Sequence, residues 1–226
     1  MVTDYLVAAL SFYFWWQLRL DSAQRRVVAE RWWSRAFMAT AVGALAGGTS
    51  HGFATHLGDT GWLVSWKLTI YSLAVASLCL LLAALRASFG GRALSVLTGM
   101  AWIKFGIYCL FMLRENDFDY VIYDYGSSMA IVLLLQLAAW YRHRSRAAPW
   151  IIFGILVSAI ASQIQMRELG FHRHFNHNDI FHVVQMVSLG LFYRGGLLLE
   201  DAGDRSTTNA RKQGVPDRRQ QKSPRR

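Results

Sequence analysis

Several uninterrupted apolar segments, each close to the length of a membrane-spanning helix, constrain this chain more than any other feature of its 226 residues. A helix needs about 20 predominantly apolar residues to cross the hydrocarbon core of a bilayer. The segments are continuous rather than alternating, and only helices or closed barrels satisfy every backbone group in lipid. The 54% hydrophobic content also exceeds what a soluble domain of this size buries. We therefore predict an all-α bundle that is integral to a membrane.

We predict seven spans, at about residues 4–19, 33–55, 62–85, 93–113, 119–141, 149–166 and 179–199. Basic connections alternate with neutral or acidic ones, and the first connection carries Arg19, Arg25, Arg26, Arg31 and Arg35. By the positive-inside rule this pattern predicts an outside N-terminus and a cytoplasmic C-terminus. The net charge of +10 therefore reports membrane topology and does not indicate nucleic-acid binding.

Two regions complete the predicted organisation. Residues 1–199 should form the seven-helix transmembrane domain, and residues 200–226 a basic, disordered cytoplasmic tail. No cleavable signal peptide is expected, because no basic region precedes the first apolar run. Gly43 and Gly47 form a GxxxG pair in helix two, which predicts close approach of another helix. Cys79 and Cys109 lie inside apolar helices and are expected to be packing residues.

Six of the seven histidines fall in two short windows. His51 and His56 lie in GGTSHGFATH, which ends helix two, and the other four lie in FHRHFNHNDIFHVVQ, which leads into helix seven: His172, His174, His177 and His182. Helix two runs outward and helix seven runs inward, so the two windows share the outer leaflet. His51 and His182 should both lie roughly 5–6 Å below the helix ends.

These windows predict a zinc site. Imidazole is the commonest zinc ligand in proteins, and three histidines plus water form a standard catalytic set. We assign His51, His177 and His182 as the metal ligands. His177 and His182 are five residues apart, about 140° around an ideal helix, so joint ligation requires an irregular first turn.

Further polar residues are candidates for the same site. Asp179 and Asp124 are the predicted general bases. Asn178, Gln185, Lys67 and His56 are expected to line a polar cavity beside the histidines. Each has a simpler alternative, in which Asp179 complements the start of helix seven and Lys67 reaches water at its helix end. The histidines themselves are alternatively solvated residues or partners in interhelical hydrogen bonds.

The order of spans and motifs resembles the CREST superfamily of seven-helix membrane hydrolases, which includes alkaline ceramidases and the adiponectin and progestin receptor group. His51 in TSHGF matches the helix-two histidine of that superfamily, and His182 in NDIFHVV matches the second histidine of its helix-seven HxxxH motif. Asn178 stands at the first histidine of that motif, and Gly47 stands at the family's serine, with Ser50 beside His51 as the nearest hydroxyl.

The resemblance implies a zinc-dependent hydrolase that acts on a lipid amide or ester, with Ser50 joining Asp179 and Asp124 as catalytic residues. The stretches GGTSHGF and FNHNDIFHVVQM are also similar to an uncharacterised bacterial branch, which implies a multi-pass protein of the bacterial inner membrane. The competing hypothesis is a non-catalytic receptor or transport-type protein with a metal-free ligand cavity. A haem or di-iron protein is a third possibility, although six of the seven histidines are predicted outside whereas membrane di-iron enzymes use cytoplasmic histidine boxes. A retinal protein is disfavoured because helix seven has no lysine.

Overall fold

The computed structural model describes residues 2–170 and 176–203, and every regular element in that part of the chain is an α-helix. The helices are α1 (Val2–Arg25), α2 (Val28–Gly52), α3 (Ala54–Ser88), α4 (Gly91–Phe111), α5 (Asp119–His143), α6 (Ala148–Met166) and α7 (His177–Gly196). Each predicted span lies mainly in a different helix, in the predicted order, so the all-α fold and the order of helices are confirmed. The predicted tail beyond residue 203, and His172 and His174, lie outside the described residues.

Four helices, α3 to α6, are long and apolar enough to cross a membrane. In α3 most of the apolar window is packed inside the bundle, whereas the window of α4 is only 11% buried. The side chains that α4 presents outward include Val96, Met100, Ile103 and Ile107. A soluble monomer rarely exposes such a continuous apolar face, so α4 is suited to contact with lipid.

The helices pack in an order that differs from their order along the chain. α1 packs on α2 and α7, α2 on α3, α3 on α5, α5 on α6, and α6 on α7. These six helices close a ring, and α4 packs against α3 on the outside. α1 therefore lies between α2 and α7, the two helices that carry the histidine windows.

α2 and α3 approach closely at the GxxxG pair of α2. A Cβ atom added to Gly43 or Gly47 would lie 3.4 Å from side-chain atoms of α3, those of Leu73 and Thr69 respectively. The close approach predicted by the GxxxG pair is thus confirmed, and its partner is α3. Ser65 of α3 donates to the carbonyl oxygen of Ala46 at 2.9 Å across the same contact.

The segment after α7 packs against the start of α2. The Asp201 carboxylate accepts from the backbone N–H groups of Val28 (3.1 Å) and Ala29 (2.8 Å), at the start of α2. The Arg86 Nε atom of α3 lies 3.5 Å from the same carboxylate. Asp201 thereby supplies the cap that Val27, which makes no side-chain capping bond, does not provide.

Arg25 ties the α1–α2 turn to this segment. Its guanidinium donates to the carbonyl oxygens of Leu197 and Leu199 and lies 3.1 Å from Glu30. Burial raises the pKa of Glu30 to about 8, the nearby Asp21 carboxyl adds to the rise, and Arg25 opposes it. Burial therefore favours the protonated form of the Glu30 carboxyl, whereas the Arg25 guanidinium favours its ionised form.

Candidate functional site

The start of α7 is fixed by a capping box. The Asn176 side chain accepts from the backbone N–H groups of Asn178 (3.0 Å) and Asp179 (3.2 Å), and the Asp179 carboxylate accepts from the N–H of Asn176 at 3.3 Å. The sequence pattern predicts Asn176 or Asn178 as the cap and Asp179 as the first-turn acid; the structure shows that Asn176 is the cap and confirms Asp179. The cap places His182 a little over one turn inside the helix.

His182 lies in a polar cluster built from two helices. Its Nδ1 atom is 3.0 Å from Thr3 Oγ1, and its Nε2 atom is 3.5 Å from Asp4 Oδ1. Thr3 Oγ1 also donates to Asp179 Oδ1 at 2.8 Å. The exposed fractions are 9% for Thr3, 4% for Asp4 and 9% for His182. We refer to Thr3, Asp4, Asp179 and His182 as the His182 cluster.

The hydrogen bonds of Thr3 indicate that the Nδ1 atom of His182 carries a proton. A hydroxyl has one proton, and here it is donated to Asp179, because an ionised carboxylate only accepts. The contact between Thr3 Oγ1 and His182 Nδ1 then requires the ring to donate from Nδ1. In a neutral imidazole this leaves an unprotonated Nε2 atom directed toward Asp4.

The contact between Nε2 and Asp4 is therefore the feature of chemical interest. A charge-assisted N–H···O bond is about 2.7–2.9 Å long, whereas Nε2 and Oδ1 are 3.5 Å apart. Two zinc ligands at about 2.1 Å from a tetrahedral ion are about 3.4 Å apart. If the ring is neutral, a cation between the Nε2 lone pair and the carboxylate oxygen would make this contact favourable, whereas a protonated ring would form an ion pair with Asp4. The spacing of the two atoms is compatible with a shared metal ion.

Gly48 of α2 allows Asp4 to approach. A Cβ atom at residue 48 would lie 2.8 Å from Asp4 Cβ and 3.5 Å from a ring carbon of Tyr5. Tyr5 in turn lies 3.3 Å from the Thr49 hydroxyl across the same contact between α1 and α2. The His182 cluster thus depends on a glycine of α2 as well as on its own residues.

Gly48→Ala is expected to lower the free energy of unfolding by about 1–3 kcal/mol, because the added methyl group forces Asp4 and α1 away from α2. Gly47→Ala is the matched control, since its Cβ would meet Thr69 at an ordinary 3.4 Å. The control should be neutral, or stabilising by up to about 1 kcal/mol from helix propensity. Denaturation of both variants in detergent measures the difference, and equal stabilities would contradict the predicted clash.

His51 lies near the end of α2, at the same end of the bundle as the His182 cluster. It is exposed, and its ring is 5.6 Å from the Trp66 ring in an edge-on arrangement. Trp62 stacks on Trp66 with ring centres 5.9 Å apart, and Trp66 Nε1 donates to the carbonyl oxygen of Asn116 at 2.7 Å. Gly48, about one turn before His51 in the same helix, lies against Asp4 of the His182 cluster. The two histidine windows therefore meet at one end of the bundle.

The other predicted residues of the helix-two window have local partners. Ser50 is fully buried and donates to the carbonyl oxygen of Ala46 at 3.0 Å within its own helix. His56 is exposed, and its Nδ1 atom is 3.1 Å from the Thr55 hydroxyl. Neither residue contacts the His182 cluster through these bonds.

The remaining predicted residues lie elsewhere. Lys67 donates to the carbonyl oxygens of Met112 and Glu115, which follow α4. Gln185 accepts from Ser158 of α6 at 3.1 Å. Asp124 forms an ion pair with Lys104 at 2.5 Å between α5 and α4.

His177 and Asn178 occupy the first two positions of α7. Both are half-buried. Asn178 contributes its backbone N–H to the capping box, and the predicted ligand role of His177 stays a prediction.

Sequence reasoning missed Thr3 and Asp4. The available signal was an acidic residue in the first turn of an apolar helix, on the same side of the bundle as the histidine windows. Among residues 2–170 and 176–203, no three His, Cys, Asp or Glu side chains form a ready-made metal set. The pair of Asp4 and His182 therefore offers two ligands, and any others would come from His51, from His177 or from water.

The fold and the His182 cluster define a helical bundle of membrane-protein type with a buried polar site where α1, α2 and α7 meet. The chain belongs to the family described as "Family of unknown function (DUF6962)", whose model matches residues 1–201. The matched region contains the seven helices of the described residues and extends to Asp201. No curated protein and no solved structure matches the chain.

Proposed function

We propose that this chain is a zinc-dependent hydrolase of a lipid amide or ester bond, embedded in the inner membrane of a bacterium. The proposal includes seven spans, an outside N-terminus and a cytoplasmic C-terminus, in keeping with the alternation of charged connections. Its main support is the 3.5 Å contact between His182 Nε2 and Asp4 Oδ1. The other ring nitrogen, Nδ1, lies 3.0 Å from Thr3 Oγ1, and this contact orients the imidazole.

The residues present fit zinc by their chemistry. A neutral imidazole and a carboxylate are both standard zinc ligands. Histidines that bind metal usually donate their other ring N–H to a neighbouring acceptor, which fixes the orientation of the ring. At His182 the neighbouring acceptor of the Nδ1–H group is Thr3 Oγ1, which in turn donates to Asp179. We assign Asp4 and His182 as ligands and His51 as the candidate for a third.

The chain's own residues have distinct roles in the proposed reaction. Bound zinc supplies a Lewis acid that polarises a carbonyl group. Asp179 acts as a positioning residue, since its carboxylate holds Thr3 and the capping N–H of Asn176. Asp124 is tied to Lys104 in another part of the bundle, so we give it no role in the reaction.

The depth of the cluster favours a lipid substrate. His182 lies five residues inside the start of α7, roughly 8 Å along the helix axis. The interfacial layer on each side of a bilayer is about 5–8 Å thick. If the membrane surface lies at the start of α7, as the proposed topology requires, the cluster would lie near the boundary where the headgroups of lipids join their acyl chains through ester or amide bonds.

Release of fatty acid from defined lipids tests this function. Purified full-length protein would be given a ceramide, a monoacylglycerol and a phospholipid in mixed micelles, and free fatty acid would be measured by mass spectrometry. We expect release from at least one lipid, loss of release with a chelator, and recovery with added zinc. Asp4→Asn and His182→Gln should abolish release.

His56→Ala is the matched control, because His56 lies at the same end of the bundle and bonds only locally to Thr55. It should retain full release. No release from any of the lipids by zinc-loaded protein, or equal release by Asp4→Asn, would contradict the proposal.

A metal-free binding protein is the competing function. In that case protonated His182 and Asp4 form an ion pair at 3.5 Å, and a ligand binds beside it. The expected cavity residues do not converge, because Lys67 and Gln185 are bonded to different parts of the bundle. Stabilisation by a lipid ligand that persists with a chelator present would favour this alternative.

A further inference from the structure

A cavity of about 200 Å³ lies at the end of the bundle opposite the His182 cluster. It forms where the last turns of α3 and α5 meet the connection into α6 and the segment after α7. Pockets that enclose drug-sized ligands are about 300–1,000 Å³. This one therefore suits a compact headgroup or a small anion.

The charge of the cavity lining is positive. Arg144, Arg146 and His143 contribute basic groups, and Glu200 contributes one carboxylate. Both arginines are exposed at the rim, so their side chains are available to a ligand. Arg144 ends α5 with a left-handed backbone (φ 51°, ψ 41°), a conformation that arginine rarely adopts. That backbone turn directs the chain so that residues 144 and 146 both line the cavity.

The inner part of the cavity combines one polar group with apolar side chains. Gln136, which is only 2% exposed, lines it two turns inside α5. Ala139 and Leu198 provide apolar surface beside the amide. A ligand with an anionic group at the rim and apolar atoms beneath it would complement this arrangement.

We propose that this cavity binds a phosphate group, and that its preferred ligand is the phosphodiester of an anionic membrane lipid. Arginine donates two parallel hydrogen bonds to phosphate oxygens, which makes it the preferred residue for phosphate recognition. Glu200 at the rim can accept from hydroxyl groups of a glycerol headgroup. Inorganic phosphate shares the anionic chemistry but lacks the atoms that would contact Leu198 and Ala139.

Native mass spectrometry of the full-length protein in detergent tests the site. The probes are phosphatidylglycerol, phosphatidylcholine and inorganic phosphate, each titrated against wild type. We expect one phosphatidylglycerol to remain bound, with phosphatidylcholine and inorganic phosphate binding at least tenfold more weakly. Arg146→Gln should weaken phosphatidylglycerol binding about tenfold, as should Arg144→Asn, in which asparagine tolerates the left-handed backbone.

Arg142→Gln is the matched control, since it removes the same charge from the same connection at a residue that does not line the cavity. Its affinity should equal that of wild type. If Arg142→Gln and Arg146→Gln weaken phosphatidylglycerol binding equally, the lipid is attracted to a basic surface in general, and the proposed site is wrong. Equal binding of both phospholipids would overturn it as well, whereas a preference for inorganic phosphate would keep the phosphate site and reject the lipid.

Discussion

Lys104→Met is expected to lower the free energy of unfolding by about 3–5 kcal/mol, because it leaves a buried carboxylate without its counter-charge. Lys104 Nζ lies 2.5 Å from Asp124 Oδ1 and also donates to Ser128 Oγ at 3.0 Å. The Asp124 side chain is 8% exposed, and it lies between helices apolar enough to cross a membrane. Ser128 accepts from Ser77 at 2.8 Å, which connects the pair to α3.

The double variant Lys104→Met/Asp124→Leu removes both charges, so it distinguishes loss of the ion pair from the cost of leaving the Asp124 carboxylate buried without a partner. Replacing a whole buried pair by apolar residues is often neutral or stabilising, so the double variant should recover most of the loss. Arg92→Met is the matched control, because Arg92 is an exposed cation at the start of the same helix. Denaturation in mixed micelles measures all three variants. A double variant as unstable as Lys104→Met would contradict this account of the pair.

Asp201→Ala is expected to cost about 3 kcal/mol or more, because two backbone N–H groups at the start of α2 lose a charged acceptor. Those groups belong to Val28 and Ala29, and Asp201 itself is 5% exposed. The Arg86 guanidinium would also lose the carboxylate 3.5 Å away. Thermal or denaturant unfolding in detergent measures the change.

Asp201→Asn provides a graded test of the same cap. Asparagine keeps one side-chain oxygen, so we expect about half of the loss seen with alanine. Glu200→Ala is the control, because Glu200 is the exposed neighbour of Asp201 in the same segment. If Glu200→Ala and Asp201→Ala destabilise equally, the segment is held by something other than the cap.

Helix positions can be predicted because they depend on local sequence. Continuous apolar runs indicate the helices, and Asn176 with Asp179 three residues later indicates the start of α7. The largest departure is α3, which begins at Ala54 rather than near residue 62. Gly58 adopts φ 62° and ψ 174° inside that helix, so a short outer helix and the long inner one join across a kink.

The composition of the site depends on the order in which helices pack, which local sequence does not encode. His51 and His182 are predicted at the same end of the bundle, and both lie there. The helix between them cannot be predicted in this way, so Thr3 and Asp4 escape notice in the sequence although α1 brings them against His182. The same limit applies to Lys104, whose partner Asp124 lies on the next helix and is identified only when the rotation of α4 is known.

Zinc content of the purified full-length protein tests the central claim most directly. Elemental analysis after purification without chelators should find about one zinc ion per chain in wild type and in His56→Ala. Asp4→Asn and His182→Gln should each reduce that content severalfold while remaining folded by circular dichroism. Wild-type protein without zinc after incubation with the metal, or undiminished zinc in Asp4→Asn, would contradict a metal ion between Asp4 and His182.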